Sequence, residues 1–237
     1  LTTSRIVGVE ALLRWPRPDG EFAEPEEFLP LVRRHGLMSA ITEFVLTRAL
    51  DDAAVWRDAL FDLPLALNFF APSVAHPGFP AAIARALRDR GFDPAMLTVE
   101  ITEDLLLANL ERTRMVLEQL RSNGIRIAID DFGSGYSALS YLRELPIDEV
   151  KLDRFFIAPT LSDPRAAAVV RAVIGLAREL GLTTVAEGIE NAETVTWLRE
   201  QGCDVGQGFF LSPPLPLDRL LELLAAGSTG PDFANRP

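Results

Sequence analysis

Short apolar runs of β type recur along the chain at Ile6–Leu13, Pro64–Phe69, Met96–Ile101, Ile125–Asp130, Glu149–Leu152, Thr183–Glu187 and, more weakly, Asp204–Phe210. Between most of them the apolar positions switch to helical spacing. These stretches are Ala40–Trp56, Pro80–Arg90, Leu105–Ser122, Pro164–Leu180, Ala192–Glu200 and Leu217–Ala226. Asn123-Gly124, Gly181, Arg90-Gly91 and Gln201-Gly202 sit where such helices would end, as glycine does after a helix C-terminus. Strand and helix alternating over the whole length predict parallel pairing through right-handed crossovers. About seven such units favour a βα barrel, although periodicity alone leaves an open doubly wound sheet standing. The Gly-, Pro- and Ser-rich stretch Gly227–Pro237 reads as a tail or linker beyond one domain over residues 1–226.

Composition narrows this picture. A chain of 237 residues that is 48% hydrophobic can bury one large α/β core. Its net charge of −11, with no stripe of Lys and Arg, argues against a polymeric nucleic acid as partner. The lone cysteine, Cys203, can form no internal disulfide, which fits a reducing compartment. No apolar run reaches the roughly 18 residues of a membrane span, and Leu-Thr-Thr-Ser-Arg does not open a signal peptide. The expectation is a cytoplasmic domain without membrane contact of its own.

The chemistry lies at the ends of the apolar runs. These end in Glu10, Asn68, Glu100, Asp130 with Asp131, Lys151 with Asp153, Glu187 and Gln207. Side chains alternate faces along a strand, so Gly8, Ala66, Thr98, Ala128 and Val185 share a face with these polar ends. They are small, as a barrel interior requires. The intervening Val9, Leu65, Leu67, Leu97, Val99, Ile127 and Ile129 are bulky and suited to packing under helices. The polar ends then converge at the C-terminal mouth, where barrel enzymes place their sites. Clustered carboxylates repel one another and call for a cation. Oxygen donors favour Mg²⁺ or Mn²⁺, and His35 and His76 lie away from the strand ends. The adjacent Asp130 and Asp131 suit two bridged metals clamping a displacement at phosphorus. Lys151 would orient or help deprotonate the water. Glu103 and Asp104 have a plainer reading as acids complementing a helix N-terminus.

The ordered set of Glu10-Ala11-Leu12-Leu13-Arg14-Trp15, Val99-Glu100-Ile101-Thr102-Glu103, Ile129-Asp130-Asp131-Phe132-Gly133-Ser134-Gly135-Tyr136-Ser137-Ala138-Leu139, Val150-Lys151-Leu152-Asp153-Arg154, Val185-Ala186-Glu187-Gly188-Ile189-Glu190 and Gly202 through Pro213 resembles the EAL family over almost the whole chain. The resemblance implies a TIM-like βα barrel with one antiparallel strand, and hydrolysis of cyclic di-GMP to linear pGpG with two Mg²⁺ or Mn²⁺ ions. It further implies that Glu10, Asn68, Glu100 and Asp130 ligate one metal. Asp131 would ligate the second or bridge the two, Asp153 would help hold that second site, and Lys151 would touch the nucleophilic water. Glu187 becomes the candidate general base or water-positioning acid, Glu190 and Gln207 complete the site, and Arg14 faces a substrate phosphate. Glu103 would anchor the glycine-containing loop after Asp131, which in the family couples metal binding to dimerisation, here near Tyr136–Leu142. Sensor or diguanylate cyclase modules often precede such domains. The family's initial Gln-Pro-Ile strand is absent, Phe69 and Phe70 replace smaller residues after Asn68, and Arg33 and Pro213 stand where an acid and an arginine are usual. A non-catalytic cyclic di-GMP receptor is the alternative reading, and a scaffold that binds no nucleotide a more distant one.

Overall fold

The computed structural model describes residues 1–3, 5–74, 76–102, 110–133 and 142–226. Its strands are β1 (Val9–Ala11), β2 (Trp15–Pro16), β3 (Phe22–Ala23), β4 (Leu65–Asn68), β5 (Leu97–Thr102), β6 (Arg126–Phe132), β7 (Glu149–Leu152), β8 (Thr183–Ala186) and β9 (Val205–Gly206). The helices are α1 (Pro25–Arg34), α2 (Met38–Asp58), α3 (Ala71–Val74), α4 (Phe79–Asp89), α5 (Leu110–Ser122), α6 (Arg154–Ile157), α7 (Pro164–Glu179), α8 (Ala192–Glu200) and α9 (Leu217–Ala225). Seven strands form one curled parallel sheet in the order β1-β4-β5-β6-β7-β8-β9, and β2 pairs with β3 in a separate antiparallel ribbon. This is the TIM-like barrel expected from the alternation, with β1 and β9 as its edges. No helix among the described residues is long and apolar enough to cross a membrane.

Local signals account for the helices. Asp163 and Asn191 cap α7 and α8, accepting from the amides of Arg165 (2.8 Å) and Thr194 (2.8 Å). Pro164 occupies the first turn of α7, where a missing N–H has no consequence. Gly91, Gly124, Gly181 and Gly202, marked in the sequence as helix ends, all take positive φ.

The bulky strand face packs as expected. Leu65, Leu67, Leu97, Val99 and Ile127 are fully buried and join Leu50, Leu87, Leu117, Leu120 and Ile174 in one core between sheet and helices. Each such side chain contributes about 1.5–3 kcal/mol by leaving water. A smaller cluster of Ala23, Phe28, Val32 and Met38 holds the ribbon and α1 together.

Two acids pin the register at the strands' N-terminal ends. Asp148 Oδ2 accepts from the Ile127 amide at 2.9 Å. Asp204 Oδ2 accepts from both the amide and the hydroxyl of Thr184 at 2.8 Å.

The inner face of small residues leaves space. Gly8, Ala66, Thr98 and Val185 line a cleft of about 780 Å³ that runs along the inside of the sheet up to Glu10, Glu100 and Lys151. The sheet's two edges meet at its mouth, where Gln207 Nε2 donates to Glu10 Oε2 at 2.7 Å.

Candidate active site

The site is a ring of polar side chains from successive strands, closed around Lys151. The lysine lies on the inner face of β7 and is only 2% exposed. Its ammonium approaches Glu187 Oε1 at 2.9 Å, Glu100 Oε1 at 3.0 Å, and Glu10 Oε2 and Asp130 Oδ1 at 3.3 Å each. Asn68, at the end of β4, donates through Nδ2 to Glu10 Oε1 (2.6 Å) and Glu100 Oε2 (2.9 Å). Parallel register produces this arrangement, since Asn68 pairs with Glu100 directly across β4 and β5.

Four carboxylates against one ammonium leave three negative charges if all are ionised. The protonation equilibria respond. Burial draws Lys151 towards its neutral form, but Glu100, Glu187, Asp130 and Glu10 together hold its pKa well above the ordinary lysine value. Burial pushes Glu100 well above the usual glutamate range, and the charges of Glu10 and Asp130 push it the same way. Burial would also raise Glu10, yet the Lys151 charge and the Gln207 amide outweigh it and hold that carboxyl low. Glu187 is raised to about 7, chiefly by burial and then by the charge of Asp130, against the pull of Lys151.

Asp131 reaches the site through an irregularity. The β6–β7 register runs Ile129 to Val150 and then Phe132 to Leu152, so two β6 residues oppose one on β7. Such a bulge re-aims side chains that alternation would send to opposite faces. Asp131 sits within it at φ 53°, a left-handed backbone that aspartate tolerates better than most residues. Carboxylate oxygens of Asp130, Asp131 and Glu187 consequently lie within 4.8 Å of one another. Burial raises the Asp131 pKa to about 6, with further contributions from Asp130 and Asp153. Asp153 also caps α6, accepting from the Phe155 amide at 2.8 Å.

The donor set suits a hard divalent cation. It consists of carboxylate and amide oxygens, without histidine or cysteine, and carries an excess of negative charge that Lys151 alone does not balance. The amide N–H groups of Asn68 and Gln207 point at the same carboxylates a cation would serve.

The family model for the EAL domain matches residues 1–214. The chain belongs to the EAL domain family. It is 40% identical over 221 residues to MucR of Pseudomonas aeruginosa, a bifunctional diguanylate cyclase/cyclic di-GMP phosphodiesterase, covering 93% of this chain and 32% of that protein. It is 39% identical over 224 residues to the cyclic di-GMP phosphodiesterase PA2567 of the same species, covering 94% and 38%. This EAL domain thus spans about a third of the length of these curated relatives. Among solved structures, the MucR phosphodiesterase in complex with c-di-GMP superposes with a TM-score of 0.86 at 40% identity, over 90% of this chain and 87% of that one.

The rim of the EAL domain holds the remaining expected residues. Arg14 lines the cleft, donates to the Leu13 carbonyl at 2.9 Å and lies 3.4 Å from Glu24. Glu190 pairs with Arg154 at 2.9 Å beside the same cleft. Glu103 and the loop around Tyr136 lie outside the described residues, as does the tail from Gly227. Phe69 does not crowd the ring: it is buried in the main core, edge-on to Phe79 at 5.1 Å. Phe70 packs against the smaller cluster. Pro213 stands on the cleft wall, while Arg33 is exposed on α1.

Two features escaped the sequence reading. An interior ion pair, Arg126 to Glu149 at 3.5 Å, lines the lower cleft. Both residues begin strands, and only their spacing from Ala128 and Lys151 signals an inward direction. The Arg154–Glu190 pair has a single cue, the adjacency of Arg154 to Asp153.

Proposed function

We propose that this EAL domain hydrolyses cyclic di-GMP to linear pGpG with two Mg²⁺ or Mn²⁺ ions. The observation that carries the reading is the buried ring of Glu10, Asn68, Glu100, Asp130 and Glu187 about Lys151, with Asp131 brought alongside by the bulge. Relatives named as phosphodiesterases and a c-di-GMP-bound structural neighbour support the substrate.

Glu10, Asn68, Glu100 and Asp130 would hold one ion, and Asp131 with Asp153 the second. The metals would act as Lewis acids on the phosphoryl oxygen and lower the pKa of bound water. Glu187, whose Oε1 lies 2.9 Å from the Lys151 ammonium, would accept the proton of the attacking water, and Lys151 would orient that water. The water oxygen bonds to phosphorus as the bond to the ribose 3′ oxygen breaks, and that oxygen takes up a proton from solvent. Arg14 would face the second phosphate, with Glu190 and Gln207 bordering the nucleotide. Glu103 would tie the loop after Asp131 to the site, and two copies would meet near Tyr136–Leu142. MucR carries a cyclase function in addition, which supports fusion of this domain to further signalling modules.

The test is incubation with cyclic di-GMP and Mg²⁺ or Mn²⁺, with an EDTA control, followed by chromatography. Metal-dependent pGpG supports the enzyme. Calorimetric binding of cyclic di-GMP in Ca²⁺, with no product over long incubation in Mg²⁺ or Mn²⁺, would replace it by a receptor.

A further inference from the structure

Arg154 has no role in the ring, yet it touches the turn that presents Glu187. The turn Glu187-Gly188-Ile189-Glu190 is braced on both sides. The Glu187 amide donates to the Leu152 carbonyl at 3.0 Å, and the Ile189 amide to the Gln207 carbonyl at 3.0 Å, with Ile189 fully buried. Across its open side lies the Arg154 stem. A Cβ placed on Gly188 would come within 2.5 Å of both Cβ and Cγ of Arg154, so the stem is seated on the glycine backbone. Gly188 also takes φ +64°, which a side chain at that position disfavours. The guanidinium then reaches over to Glu190 at 2.9 Å. Its own backbone is fixed by the Asp153 cap at the start of α6.

The ion pair itself cannot explain this arrangement by stability. Arg154 is 61% and Glu190 53% exposed, and pairs so open to water contribute little. What the contact supplies is placement: it links the segment carrying Asp153 to the segment carrying Glu187. We propose that Arg154 is a positioning residue, whose aliphatic stem clamps the Gly188 turn and thereby fixes Glu187 against Lys151. This rests on the phosphodiesterase reading for its catalytic consequence, but not for the clamp.

Two variants separate stem from charge. Arg154→Met keeps a stem of similar length without charge; Arg154→Ala removes both. Arg154→Ala is expected to speed amide hydrogen exchange in the peptide spanning 187–190 and to lower kcat about tenfold, since small misplacement of a reacting group is costly in rate. KM should change less than kcat. Arg154→Met should leave exchange in that peptide and kcat close to those of the unaltered protein. Unchanged exchange in Arg154→Ala overturns the clamp, and so does equal loosening in Arg154→Met, which would assign the effect to charge. Absence of turnover in the unaltered protein would count against the phosphodiesterase reading alone, because the exchange measurement needs no activity.

Discussion

Replacing Lys151 by methionine would remove the only ammonium among four carboxylates while nearly keeping its volume. The four contacts, from 2.9 to 3.3 Å around a side chain 2% exposed, are largely shielded from bulk water. Taking away one partner of such a buried cluster strands the others as uncompensated charge, which costs about 3–5 kcal/mol. For a chain of this size that corresponds to a fall in Tm of roughly 6–20 °C. The loss should be greatest in EDTA at pH 8, where the carboxylates must either stay charged together or be protonated far from their preferred pH. It should shrink at pH 5, where protons neutralise them, and shrink on adding Mn²⁺, which substitutes for the missing positive charge. Thermal unfolding followed by circular dichroism, with and without Mn²⁺ at both pH values, reads all of these. A Lys151→Met protein within 1.4 kcal/mol (a factor of about ten in the folding equilibrium) of its parent in EDTA at pH 8 would refute the electrostatic account. So would an equal deficit at pH 5.

The metal-free protein itself should lose stability as pH rises. Glu187 is raised from an ordinary value of 4.5 to about 7, and Asp131 from 3.8 to about 6. The folded state therefore binds more protons, and its advantage, about 3 kcal/mol from Glu187 and less from the half-exposed Asp131, declines between roughly pH 4 and 7. Denaturant titrations in EDTA that show stability rising over that range would contradict these shifts. Lys151 stays charged throughout it and adds no slope. Glu10→Ala and Glu187→Gln should each lower turnover at least about 100-fold with the circular dichroism spectrum unchanged; parental rates in either folded variant would remove it from the site. Asp131→Gly should raise metal-free stability by about 1 kcal/mol, because glycine relieves the φ 53° backbone and one repelling charge departs. The same variant should abolish turnover, and a destabilised Asp131→Gly would show that the bulge is not strained.

How much was legible beforehand depended on the kind of signal. β7 and α8 were readable to the residue because parallel strands and their covering helices carry long, one-sided apolar patterns. The convergence of Glu10, Asn68, Glu100 and Glu187 followed from alternation, since each stands two positions after a small residue (Gly8, Ala66, Thr98 or Val185) on the same face. The β2–β3 ribbon was missed, being two residues per strand, although Pro18-Asp19-Gly20 is good turn chemistry and Asp19 does accept from the Glu21 amide at 3.0 Å. Helix α1 was also missed, despite Pro25 in its first turn and the Glu27 side chain accepting from the Glu24 amide at 3.2 Å. Neither the bulge nor the Arg154 contact could be read from one strand at a time. Both depend on what the neighbouring strand or turn places opposite, and that information resides in register rather than in local pattern.

The closure of the ring by Gln207 onto Glu10 joins residues 197 positions apart, and Lys151 meets Glu10 across 141. Contacts this remote in sequence form late and slowly, because the intervening chain must be ordered before they can hold. During synthesis the ring therefore stays incomplete until residue 207 has left the ribosome, although the helices and strands before it can already pair. The carboxylates of β1, β5 and β6 await their last partner through most of this domain's translation. Acquisition of the assembled site is consequently a global folding event, and the cleft chemistry should serve as a more stringent report of a finished fold than helix content does.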